Sequence, residues 1–181
     1  LEVPDLPHRS GAAEPLQRAQ LYPAIRALLQ HEDSIPRGSV SKALDRLTDA
    51  DLVELLPDIA KAIEHIAPSN EMFGDGIRLA GLDLLSRLHI REGMALCLSV
   101  MEPERWGEKN RSHACLTALQ RYGTHAKAML PKLQVVREQL VTARRSKEHL
   151  AEFDKAVAAI QSSTETPTLV DLRAFQARAV N

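Results

Sequence analysis

Ile77-Arg78-Leu79-Ala80-Gly81-Leu82-Asp83-Leu84-Leu85-Ser86-Arg87-Leu88 carries apolar side chains at steps of three and four, the spacing of one buried helical face. Parts of this stretch recur. Leu84-Leu85-Ser86-Arg87-Leu88 is echoed upstream by Ala43-Leu44-Asp45-Arg46-Leu47 and downstream by Ala118-Leu119-Gln120-Arg121-Tyr122. The shared arginine steps by 41 and then 34 residues, from Arg46 to Arg87 to Arg121. A second arginine opens each of these helices, since Arg37, Arg78 and Arg111 precede their partners by 9, 9 and 10 positions. Leu56-Pro57-Asp58-Ile59 and Leu130-Pro131-Lys132-Leu133 form another echo, with Tyr22-Pro23-Ala24-Ile25 a looser version. The middle unit has Gly93-Met94-Ala95 in place of the proline. The repeating unit is thus an arginine-opened helix, a short turn, and a helix with proline near its start.

Helix pairs of this length cannot bury their apolar faces alone, so neighbours must stack, and the expected architecture is a right-handed α-α superhelix. Here the sequence resembles the HEAT-repeat family in its short bacterial form, with an apolar-Arg-x-x-Ala-x-x-x-Leu helix. Ile77-Arg78-Leu79-Ala80 is the best match, followed by Asn110-Arg111-Ser112-His113-Ala114 and then Pro36-Arg37-Gly38-Ser39-Val40. The resemblance covers roughly residues 16 to 140. It implies an all-α solenoid of about three to four helix pairs, and a protein-binding scaffold whose partner is another protein or another domain of the same polypeptide. The corresponding division is an extended arm over 1–15, a repeat domain over 16–142 and a helical cap over 143–181.

Composition agrees with an all-helical chain. The 181 residues include 26 Leu and 24 Ala, against 10 Val, 8 Ile and 6 aromatics. Leu and Ala favour helices, whereas strands draw on β-branched and aromatic residues. A chain of this length buries ~70% of its unfolded surface. A net charge of −1 argues against a general binder of nucleic acid or anionic membrane, which needs a basic surplus. No run of 18 apolar residues and no signal peptide is present, which points to a soluble chain. Cys97 and Cys115 lie in apolar helical contexts and read as buried, inert thiols.

Working outward, Pro4, Pro7, Gly11 and Pro15 give the first residues an extended character. Thr48-Asp49 reads as the cap of a helix carrying Leu52, Leu55, Leu56, Ile59 and Ile63. From Met129 the apolar residues Leu133, Val136, Leu140, Ala143, Leu150, Phe153, Val157 and Ile160 keep the three–four spacing. That fits one long helix, or two with a break near Arg145-Ser146, serving as an end cap or as a coiled-coil seam for dimerisation. Residues 162–168 read as a linker, and a short amphipathic helix from Leu169 to Val180 closes the chain.

Catalytic signatures are missing: there is no G-x-x-x-x-G-K-[ST], G-x-S-x-G or H-E-x-x-H. The rival class is a metal-dependent enzyme of HEAT-like build, a hydroxylase or lyase. Deoxyhypusine hydroxylases, which are HEAT-like, hold two irons through several His-Glu dipeptides, but His31-Glu32 occurs here once. His89, His113 and His125 fall near helix ends in adjacent repeats, where three imidazoles would bind zinc if they converged. Neither metal nor cofactor is expected. The partner-binding candidates are two sets. Arg46, Arg87 and Arg121 form a row at helix C-termini, where cations are favoured and guanidinium forks suit carboxylate or phosphate. Asn70, Glu71 and Phe73 in one inter-repeat loop, with Arg105 and Trp106 in the next, supply the aromatic–arginine pairing common at interface hot spots.

Overall fold

The computed structural model describes residues 20–65 and 75–177. The described residues are helical, with no strand beyond one isolated parallel bridge between Ile90 and Val170. Nine α-helices follow in order: α1 Tyr22–Leu29, α2 Ser34–Ser41, α3 Asp49–Glu64, α4 Asp75–Arg87, α5 Gly93–Met101, α6 Glu108–Gln120, α7 Leu130–Thr142, α8 Lys147–Ser162 and α9 Leu172–Ala177. Two 3-10 turns, Leu44–Arg46 and Gly123–Met129, lie between α2 and α3 and between α6 and α7. The expected arm over 1–15 lies outside the described residues.

Local chemistry explains the boundaries. Thr48 closes a capping box with Asp51 at the start of α3, satisfying two backbone amides that the first helical turn leaves unpaired. Asp33 accepts from the Ile35 amide ahead of α2, and Ser146 accepts from the His149 amide ahead of α8. Pro23 and Pro131 stand in the first turns of α1 and α7, where no intrahelical donor is lost. Helices α4 and α7 end alike. The Ile90 and His89 amides donate back to Leu85 and Ser86, and the Arg145 and Arg144 amides to Leu140 and Val141. His89 and Arg144 take the left-handed conformation that this termination requires, at φ 52° and 53°. The long C-terminal segment is therefore two helices, broken at 143–146.

Packing is alternate. α4 contacts both α2 and α6, and α6 contacts α8; α3 contacts both α1 and α5, and α5 touches α7. Consecutive helices pair across these two rows: α1 with α2, α3 with α4, α5 with α6 and α7 with α8. Between the rows runs one core, from Leu29, Leu55 and Ile59 through Leu85, Cys97 and Leu119 to Leu133, Phe153 and Ile160. That core is continuous across residue 142. Gly81 lets α4 approach α3, since a side chain there would start 2.8 Å from Ile63.

The residues after α8 return across the molecule as a strap. The Thr124 amide donates to the Glu165 carbonyl at 2.8 Å, and the His125 ring meets the Pro167 carbonyl at 2.9 Å. Val170 exchanges main-chain bonds with His89 and Arg91, and the carboxylate of Glu92 receives the Leu172 amide. α9 then packs on α3, with Phe175 buried.

Candidate functional site

Two places on this frame have features beyond packing: the loop between α5 and α6, and the groove between α6 and α8.

The loop is built on arginines that stand in the first turns of α2, α4 and α6. Arg37, Arg78 and Arg111 are each the fourth residue of α2, α4 and α6, and are at most 2% exposed. Arg78 and Arg111 donate to carbonyls in the last turn of the preceding helix, and Arg37 to carbonyls in the turn that follows α1. Arg37 bonds the His31 and Glu32 carbonyls, Arg78 Nε that of Ile63 at 3.2 Å, and Arg111 Nε that of Met101 at 3.4 Å. The Ile63 and Met101 carbonyls lie in the last turns of α3 and α5, where no intrahelical donor follows, and a buried cation satisfies both their hydrogen bonds and the helix dipole.

Arg111 extends this into the loop. Its remaining nitrogens donate to the carbonyls of Glu102 at 3.2 Å, Arg105 at 3.0 Å and Trp106 at 2.7 Å, and to the Asp75 carboxylate at 2.9 Å. Glu102, in left-handed conformation at φ 39°, accepts from Arg78 at 2.9 Å and from Arg105 at 2.9 Å. Arg145 holds the Pro103 carbonyl at 3.0 Å. The backbone of 102–107 is thus fixed at almost every residue. From it the Trp106 side chain stands 81% exposed.

The other candidates fall differently. Arg87 pairs with Asp45 at 2.8 Å and Asp83 at 3.0 Å, and Arg121 with Asp83 at 2.6 Å and the Ser86 hydroxyl at 2.8 Å. Arg46 is exposed in its 3-10 turn. The row is an alternating ladder, Asp45–Arg87–Asp83–Arg121, joining the 3-10 turn before α3 to α4 and α6 through the chain's own carboxylates. Asn70, Glu71 and Phe73 lie outside the described residues. His125 is committed to the strap, His89 meets the Tyr122 ring edge-on with centroids 6.5 Å apart, and His113 lines the α6–α8 groove. Among the described residues, no three His, Cys, Asp or Glu side chains are grouped to hold a metal ion.

The groove between α6 and α8 has a volume of about 880 Å³. Leu79, Leu116, Phe153 and Ala156 line it, with Lys109, Glu152 and Lys155 among its charged residues. Ser112 and His149 also line it, 1% and 5% exposed, and neither the Ser112 hydroxyl nor His149 Nε2 has a hydrogen-bond partner among the described residues. Burial pushes the His149 imidazole below its ordinary range, so it is held neutral at pH 7. Neither residue is among the candidates taken from the sequence. The sequence signal that singles out His149 is its helical stripe with Phe153, Ala156 and Ile160, an apolar phase where a histidine stands out.

No protein-family model, curated protein or solved structure matches the chain. Among the described residues, no helix is long and apolar enough to cross a membrane.

Proposed function

We propose that this chain is a HEAT-like α-solenoid that acts as an interaction or scaffold module, binding another protein or another domain of its own polypeptide through the α5–α6 loop. The two alternating rows of helices, and an arginine at the same helical position in three successive units, support the repeat reading. The observation that carries the interaction reading is Trp106. A large aromatic standing in water, on a backbone locked by Arg78, Arg111 and Glu102, has little ordering entropy left to lose on binding. Trp beside Arg is also the pairing that concentrates binding energy at interfaces. The rival hydroxylase or lyase reading has no convergent ligand set among the described residues.

The direct test places a photoreactive benzoylphenylalanine at position 106 and, as a control, at the exposed position 42. Irradiation in native extract yields a discrete adduct from position 106 and none from position 42. Absence of an adduct at 106, or equal adducts at both positions, contradicts the reading.

A further inference from the structure

Residues 163–177 are attached to the frame in the manner of a bound peptide. Among the buried core residues only Phe175 follows Ile160, so the core between the two helix rows is closed without this segment. Within the segment Leu169, Val170 and Leu172 are half-buried, Phe175 alone is buried, and residues 164–166 and 168 are exposed. Its polar contacts fall on two turns at one edge of the molecule. At the α6–α7 turn, Thr124 meets the Glu165 carbonyl through its amide and the Thr166 hydroxyl through its own, both at 2.8 Å, and His125 meets the Pro167 carbonyl. At the α4–α5 turn, the Val170 amide donates to the His89 carbonyl at 3.0 Å and the Arg91 amide to the Val170 carbonyl at 2.9 Å, while Arg91 Nε reaches the Asp171 carboxylate at 2.7 Å. Glu92 then accepts from the Leu172 amide at 3.1 Å, where α9 begins. Extended peptides from other chains are held in this way, main-chain bonds giving affinity and a side-chain pocket giving sequence preference. A segment with so little apolar burial is also among the first to open.

We propose that this edge, from Thr124 across His89 and Glu92 to α3, docks an extended peptide segment of another protein, and that the strap occupies it in cis. The chemistry required of the partner is the one the strap displays. It needs an extended backbone to pair with His89 and Arg91, then an acidic residue for the Arg91 guanidinium. Four positions after that acid, one helical turn on, it needs an aromatic side chain for the place that Phe175 fills. The partner displaces the strap rather than adding to it, so the chain's own segment sets the affinity a partner must exceed. This edge lies at the ends of α5 and α6 opposite the Trp106 loop, and it does not rest on the interaction reading made there.

The test is fluorescence anisotropy of a fluorescein-labelled synthetic peptide of residues 163–177, titrated with the full chain. The wild type binds it weakly, because the tethered strap competes at an effective concentration of about 1 mM. Phe175→Ala in the chain removes the anchor of the strap and tightens peptide binding at least about tenfold. Asp171→Lys, an exposed change that opposes Arg91, loosens the strap without touching the core and tightens peptide binding about threefold. The peptide that itself carries Phe175→Ala binds none of the chains. Circular dichroism confirms that each variant keeps its helices. Absence of saturable binding to the folded Phe175→Ala and Asp171→Lys chains overturns the proposal, as does equal affinity for all three chains. A wild-type chain that doubles in mass with concentration, and that the peptide returns to monomer, also overturns it, since the strap of a second copy is then the occupant.

Discussion

At the scale of single residues, the informative groups are polar ones in apolar places. Ser112 is buried with its hydroxyl unpaired among the described residues, so Ser112→Ala removes an unmet bond and leaves only a small void. Its expected effect is stabilisation by about 0.5–1 kcal/mol, measured by urea unfolding. A residue that stabilised the fold through its hydroxyl would give the opposite sign. His149 makes a pH prediction. Burial lowers its folded-state pKa below 6.5, with Glu108 and Glu152 opposing and Lys109 and Arg145 reinforcing the shift. The unfolded chain therefore takes up the proton first as pH falls. Stability from this group is full above about pH 6.5, declines below it, and levels once the folded imidazole is also protonated. Melting temperatures between pH 7.5 and 5.5 should fall for the wild type and fall less for His149→Gln. Equal slopes would remove His149 from the account.

At the scale of elements, helix ends were more legible than helix partners. Thr48-Asp49 announces the start of α3, and of the two readings of the C-terminal segment the one with a break near Arg145-Ser146 is the one the structure shows, because capping depends on neighbours in sequence. The roles of the two arginine sets were not legible from spacing alone, which says that a position recurs but not which face it occupies. Helical phase supplies the missing part: Arg78 shares its stripe with Leu82 and Leu85, and Arg111 with Cys115 and Leu119, all buried. Arg87 instead follows Asp83 by one turn on an open face and pairs with it. Two predictions belong here. Arg144 is exposed at φ 53°, so Arg144→Gly should stabilise by about 0.5–1 kcal/mol, since a side chain in that conformation is strained. Arg111→Met should cost about 3 kcal/mol, because it leaves several loop carbonyls without their buried donor and Asp75 with Arg78 alone. As the chain has a single tryptophan, its fluorescence anisotropy reports the loop directly. It should drop in Arg111→Met and hold in Arg144→Gly.

At the scale of the whole molecule, the strap over 163–171 stands where the sequence reads as a linker over 162–168 followed by a helix from Leu169, whereas the helix starts at Leu172. Its contacts are largely main-chain bonds to turns far away in sequence, and such bonds leave no composition or periodicity to read. Gly123 shows how closely it passes: at φ 57°, a side chain there would start 2.1 Å from the Glu165 carbonyl oxygen. Gly123→Ala should therefore lift the strap, with a stability loss of about 2 kcal/mol from strain and displaced packing. Amide exchange at Thr124 and Val170 should accelerate well beyond that in the core of α4, and uniform acceleration would mean that the strap is not a separate unit. The groove went unread for a related reason, since it exists only where α6 and α8 meet, 30 to 40 residues apart in the chain.

The central claim is that Trp106 is a presented binding residue. It is tested most directly by affinity capture from native extract with the wild-type chain and with Trp106→Ala. Trp106→Ala is the clean variant, because Arg105 also holds Glu102 and cannot be changed without disturbing the loop. Both chains should show the same melting temperature. The account predicts a partner retained in stoichiometric amount by the wild type and lost from the variant; equal capture by both chains, or none by either, would contradict it.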